Sequence, residues 1–187
     1  MRGDMAELYL IAPTDADPAG FAPLLKRRLE QTQVSALLLP RGNRAENAYK
    51  ALVKAAAPIA QASGVAVLIE GEPGDVRKLG ADGLHIDGDT DDVAAAIKAL
   101  KPEFIVGAAI DGTRDDAMTK GELGVDYVFF GPLSGSIDAE TRDLARWWAE
   151  SMEVPAVLSD PEAGIDSIED EGCEFAAPGA GVWNMQV

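Results

Sequence analysis

Four acids sit close together in two short loops of this chain: Glu70 and Glu72 in Glu70-Gly71-Glu72-Pro73-Gly74, and Asp87 and Asp89 in Asp87-Gly88-Asp89. Clustered carboxylates suit a magnesium ion, which takes one or two of them and completes its shell with water and substrate oxygens. Glu72, Asp87 and Asp89 are the candidate metal ligands. The plainer reading makes Asp89 a helix cap and Glu72 a solvated loop acid. A second kind of loop suits an anion. Gly131-Pro132-Leu133-Ser134-Gly135-Ser136 offers two hydroxyls and several backbone amides, and Pro178-Gly179-Ala180-Gly181 offers close backbone approach. Glycine-rich loops can turn consecutive N–H groups toward a phosphate. With Arg41 and Ser159, the candidate phosphate set is Arg41, Gly131, Ser134, Ser136, Ser159, Gly179 and Gly181. The competing reading is that these are only glycine-containing turns.

The remaining reactive residue types are sparse. His85 is the one histidine; lying between Leu84 and Ile86, it reads as a hydrogen-bonded packing residue. Cys173 is the one cysteine, so no internal disulfide or multi-cysteine zinc site can form, and it reads as a small residue beside a strand. Trp147-Trp148 falls in a helical stretch and suits packing or an oligomer contact, a homodimer being one expectation.

What must position these loops is visible in a repeated phrase. Leu79-Gly80-Ala81-Asp82-Gly83-Leu84-His85-Ile86, Leu123-Gly124-Val125-Asp126-Tyr127-Val128-Phe129-Phe130 and the weaker Glu171-Gly172-Cys173-Glu174-Phe175-Ala176-Ala177 each place a glycine, a small residue, an acid and an apolar run in order. The glycine suits a left-handed helix stop and the run a buried strand. The spacing fits two βα units per repeat.

Strands are expected over residues 7–13, 34–40, 65–69, 83–87, 104–110, 127–133, 155–159 and 175–177, the last with a continuation toward Trp183. Seven helical segments are expected between them, the seventh over 165–171 with at most two turns. Several strands are apolar throughout, as when both faces are buried. Eight parallel strands with helical crossovers close into a (βα)8 barrel, a TIM barrel, with residues 1–187 as a single domain and the final helix truncated or absent. In that fold the loops after the strands carry the chemistry. An open flavodoxin-like sheet is the alternative, but no phosphate-binding glycine fingerprint of the usual dinucleotide or P-loop kind is present.

The net charge is −16, from 32 acids and 16 bases, which argues against nucleic acid or an anionic membrane as partner. No apolar run is long enough to span a bilayer, and Met1-Arg2-Gly3-Asp4-Met5 lacks the shape of a signal peptide, so a cytoplasmic protein is expected.

Gly80-Ala81-Asp82-Gly83-Leu84-His85-Ile86 resembles the "GADGVHL" segment of thiamine-phosphate synthases. Leu123-Gly124-Val125-Asp126-Tyr127-Val128-Phe129-Phe130-Gly131-Pro132 is similar to that family's "GADYIGVGPIF". The resemblance covers roughly residues 65–135 and extends to the related thiazole tautomerases. It implies a (βα)8 barrel and a reaction joining hydroxymethylpyrimidine diphosphate to thiazole phosphate with release of pyrophosphate. It also implies magnesium at the leaving diphosphate and a phosphorylated small-molecule substrate.

Several family positions are replaced in this chain. Glu70-Gly71 stands where the family has Asn-Asp, and Asp87-Gly88-Asp89-Thr90 where it has Gly-Gln-x-Asp. Ala109 replaces a serine and Ser159-Asp160 a Gly-Gly pair. Ser134-Gly135-Ser136-Ile137 stands for T-x-T-K, and the family's Arg-x-Lys is represented by Arg41 and Arg44. A thiazole tautomerase would need a histidine where Ala108-Ala109-Ile110-Asp111 stands. The alternative function is an inactive barrel that binds a phosphorylated small molecule or a protein partner.

Overall fold

The computed structural model describes residues 5–185. Residues 1–4, most of the segment judged not to be a leader, and residues 186–187 lie outside the described residues. Eight parallel strands close on themselves: β1 (Glu7–Ile11), β2 (Ala36–Leu39), β3 (Ala66–Ile69), β4 (Gly83–Ile86), β5 (Ile105–Ala109), β6 (Tyr127–Phe130), β7 (Ala156–Asp160) and β8 (Phe175–Pro178). β1 pairs with β8 through Glu7↔Phe175 and Leu8↔Ala176, so the sheet has no open edge. That closure sets the flavodoxin-like alternative aside.

Six helices follow the first six strands: α1 (Pro18–Gln31), α2 (Glu46–Ala62), α3 (Pro73–Leu79), α4 (Thr90–Leu100), α5 (Arg114–Glu122) and α6 (Ala139–Ser151). Their starts are written in side chains. Asp17 accepts the Gly20 amide at 3.0 Å, Asp89 that of Asp92 at 2.9 Å, Thr113 that of Asp116 at 3.1 Å and Asp138 that of Thr141 at 2.7 Å. Such caps satisfy amides that have no partner within the helix.

The seventh helical segment does not form. Residues 165–171 make turns, with the Ile168 amide on the Gly164 carbonyl and the Ser167 hydroxyl accepting the Gly164 amide at 2.9 Å. Glu171 and Gly172 follow with φ of 55° and 84°. Short polar side chains that bond their own backbone compete with helix there, and two left-handed residues in succession end any run. No helix follows β8 among the described residues. Nor is any described helix long and apolar enough to cross a membrane.

The core has two compartments, as a barrel requires. One lies between strands and helices and includes Leu10, Leu37, Leu39, Leu52, Val67, Val106, Phe130 and Trp148. The other fills the barrel with Tyr9, Ala36, Leu38, Leu68, Tyr127, Phe129, Val157 and Ala177. Alternate residues of each strand supply the two, because successive side chains point to opposite faces.

Candidate active site

The strands end on one face of the barrel. Leu68 points into the barrel, so Glu70, two residues on and just past β3, belongs to the same row at the mouth. Its carboxylate accepts the Arg41 amide at 3.3 Å and has no cationic partner among the described residues. Burial raises its pKa above the usual carboxylate range, and the Asp87 charge adds to the shift. A cavity of about 340 Å³ opens at the ends of β3 and β4, lined by Glu70, Glu72, His85, Asp87 and Asp92 among others.

The three predicted metal ligands are placed differently. Glu72 and Asp87 line this cavity. Glu72 is also the N-cap residue of α3, its amide donating to Asp75 at 3.0 Å. Asp89 caps α4 and is not among the lining residues. Among the described residues, no three or more His, Cys, Asp or Glu side chains gather in position to hold a metal ion.

A second cavity, of about 360 Å³, lies across the mouth at the ends of β1, β6, β7 and β8. It brings together Ser134, Ser159, Gly179 and Gly181, with Thr14 and Trp183 beside them. The Ser159 hydroxyl donates to the Pro132 carbonyl at 2.6 Å, which ties the loop after β6 to β7. Gly131 makes that approach possible: its φ is 103°, and a Cβ there would meet the Ser159 carbonyl oxygen at 2.3 Å. Gly131 and Ser136 line a separate recess of about 220 Å³ with Asp111 and Asp138, and Ser136 donates to Glu162 at 2.9 Å. Arg41 lines none of these three cavities.

Beneath the mouth lies a buried polar chain that reading the residues one strand at a time does not assemble. The Tyr9 hydroxyl meets the Tyr127 hydroxyl at 2.8 Å, and the Tyr127 hydroxyl meets His85 Nδ1 at 2.8 Å. Register explains the geometry. His85 pairs with Gly107 and Gly107 with Tyr127, so the three sit at one level on adjacent strands. Gly107 leaves the space for the Tyr127 ring, since a Cβ there would lie 1.9 Å from Tyr127 Cζ. A glycine inside an apolar strand was the available signal, because it marks close approach of another group. Burial lowers the His85 pKa to about 4, which keeps the ring neutral near pH 7, and holds both phenols well above their ordinary value.

A closed parallel barrel with paired cavities at the strand C-terminal ends belongs to the class of (βα)8 enzymes and binding proteins. The family model described as thiamine monophosphate synthase matches residues 8–159, and the chain belongs to that family. It is 32% identical over 188 residues to a thiamine-phosphate synthase of Rhodospirillum centenum, covering 95% of this chain and 89% of that protein. It is 34% identical over 192 residues to one from Hyphomonas neptunium, covering 96% and 86%. Among solved structures, it is similar to a thiamine phosphate pyrophosphorylase from Pyrococcus furiosus, with a TM-score of 0.76, 17% identity and coverage of 95% and 87%.

Proposed function

We propose that this protein couples hydroxymethylpyrimidine diphosphate to thiazole phosphate and releases pyrophosphate, the reaction of a thiamine-phosphate synthase. The family match over residues 8–159 carries the reading. Two cavities of similar volume at one barrel mouth suit two substrates that must meet.

The glycine and serine cavity is assigned the thiazole phosphate. Ser134 supplies a hydroxyl, and Gly135 and Gly181 supply amides at close range, while the Gly179 and Ala180 amides donate to the Ala163 carbonyl at 2.9 and 3.0 Å and hold the loop in place. The acidic cavity is assigned the diphosphate with a divalent cation. Its carboxylates fit that role as a partial donor set: Glu70 is half-buried with an amide as its only described partner, and Glu72 and Asp87 share the cavity. Magnesium commonly binds through one or two carboxylates plus substrate oxygens. One or two of Glu70, Glu72 and Asp87 would hold it together with substrate oxygens, with Asp89 fixing the start of α4 behind them. Bound there, magnesium would offset charge on the departing diphosphate.

The carbon–oxygen bond to the diphosphate breaks, and the thiazole nitrogen lone pair closes on the pyrimidine methyl carbon. No protein nucleophile is required, so the protein's part is orientation and charge stabilisation.

A second reading rests on the replaced positions. No lysine stands within Ser134-Gly135-Ser136-Ile137, Gly71 takes the place of a metal aspartate, and the Asp160 beside Ser159 engages the Arg142 guanidinium in an ion pair. These favour a barrel that binds a phosphorylated ligand without turnover. Thiamine phosphate formation from the two substrates with magnesium separates the readings: product above background is expected. Its absence, together with a thermal shift from thiazole phosphate alone, would establish the binder. Glu72→Ala and Asp87→Ala are each expected to lower the rate at least about tenfold; unchanged rates remove the cation assignment.

A further inference from the structure

Three protons must be distributed along Tyr9, Tyr127 and His85, and the surroundings restrict how. All three residues are buried, His85 being 3% exposed and Tyr9 1%. The Tyr9 hydroxyl has no partner other than Tyr127 among the described residues, and the Tyr127 hydroxyl has only Tyr9 and His85. Suppose His85 Nδ1 carried the proton and donated to Tyr127. Tyr127 would then donate to Tyr9, and the Tyr9 O–H would have no acceptor. A buried donor without a partner costs about 1–3 kcal/mol. In the reverse order Tyr9 donates to Tyr127, Tyr127 donates to Nδ1, and every hydroxyl proton is used. The imidazole proton then sits on Nε2, which has no protein partner among the described residues but is not enclosed as a stranded Tyr9 O–H would be, and His85 is one of the residues lining the cavity at the ends of β3 and β4.

We infer that Tyr127, with Tyr9 bonded behind it, is a positioning residue that fixes His85 as the Nε2–H tautomer, so that it donates to an uncharged acceptor atom of a heterocycle bound in that cavity. The surroundings select the acceptor class. Glu70, Glu72, Asp87 and Asp92 share the cavity, and their field opposes a bare phosphate at the ring. A ring nitrogen carries no such penalty. Phe129 holds the imidazole from another side, edge-to-face at 4.9 Å between ring centroids, so the donor keeps a fixed direction. The identity of the heterocycle rests on the proposed function; the tautomer does not.

Nitrogen-15 labelling of histidine tests this cleanly, because the chain has one histidine and gives one imidazole spectrum. Long-range proton–nitrogen correlation is expected to show the proton on Nε2 and an unprotonated, hydrogen-bonded Nδ1. A proton on Nδ1 overturns the inference. Tyr127→Phe should shift the Nδ1 resonance to that of a nitrogen without a donor, and an unmoved resonance also overturns it. Tyr9→Phe leaves Tyr127 its bond to Nδ1 and should keep the Nε2 proton; it stands in if Tyr127→Phe fails to fold, and a proton found on Nδ1 in it overturns the inference. Titration with the unphosphorylated aminohydroxymethylpyrimidine should move the Nε2 proton signal saturably. His85→Phe should weaken that binding about tenfold, the worth of one hydrogen bond. Binding without movement of the signal, or no binding at all, overturns the ligand assignment. A shifted signal with no thiamine phosphate formed would sink the proposed function and leave this inference standing; product formed with the proton on Nδ1 would do the opposite.

Discussion

At the scale of single residues, the site depends on space as much as on polar groups. Gly107 contributes no side chain, and that is its role: an added Cβ would overlap the Tyr127 ring at 1.9–2.4 Å. Gly107→Ala is expected to displace Tyr127, break its bonds to Tyr9 and His85, and cost about 3 kcal/mol. A urea unfolding midpoint within error of the parent would show that the ring moves aside freely. Cys173 gives a contrasting case of a group removed from chemistry. Burial raises its thiol pKa to about 12, and the neighbouring charges of Glu174, Asp170 and Glu171 add to the rise. Because only the thiolate reacts, a rise of about three units above the ordinary 9.0 lowers reactivity at pH 8 by about a thousandfold. Alkylation should therefore be slow in the native protein and fast in urea; similar rates in both would contradict the burial.

At the scale of elements, the acid of the repeated phrase has a definite job. The Asp82 amide donates to the Val67 carbonyl at 2.8 Å while its carboxylate accepts the Val67 amide at 2.7 Å. Asp126 treats Val106 the same way, at 2.7 Å and 2.8 Å. Glu174 accepts the Ala156 amide at 2.8 Å. Each acid stands just before an even-numbered strand and closes the starting end of the odd-numbered strand beside it. The device belongs to the end of the barrel opposite the cavities. Asp126 also pairs with Lys101, but that ion pair is part-exposed and contributes little. Asp126→Ala should therefore cost about 2 kcal/mol by stranding the Val106 amide, whereas Asp126→Asn should cost about 0.5 kcal/mol. Faster hydrogen exchange at Val106 in the alanine variant alone would identify the amide bond as the cause. Equal losses in both would assign the effect to charge.

At the scale of the whole molecule, legibility follows the range of the interactions. The refrain glycines Gly80, Gly124 and Gly172 all adopt positive φ, at 73°, 95° and 84°, and the strands begin within a residue or two of where their apolar runs begin. Those features are local, so residue order reveals them. The Tyr9, Tyr127 and His85 chain is not local: its members are separated by 118 and 42 positions, and only barrel closure and register bring them together. The turns in place of a seventh helix were missed because competing side-chain bonds at Gly164 and Ser167 outweigh a short apolar pattern.

Net charge is the other property of the whole, and it acts against the proposed substrates. With a charge of −16, the surface repels a diphosphate at distances beyond its binding contacts. Salt screens that repulsion, the Debye length falling from about 30 Å at 0.01 M to about 8 Å at 0.15 M. Most proteins that bind phosphates through lysine and arginine lose affinity as salt rises. Here the loop residues that would meet phosphate are hydroxyls and glycine amides, which salt screens little, while the repulsive field is long-ranged. The same field acts on the thiazole phosphate assigned to the glycine and serine cavity, and its KM, at fixed free magnesium, should therefore fall about twofold between those ionic strengths. A KM that rises instead would mean that a basic side chain, with Arg41 the first to examine by Arg41→Gln, dominates the encounter over the charge of the whole barrel.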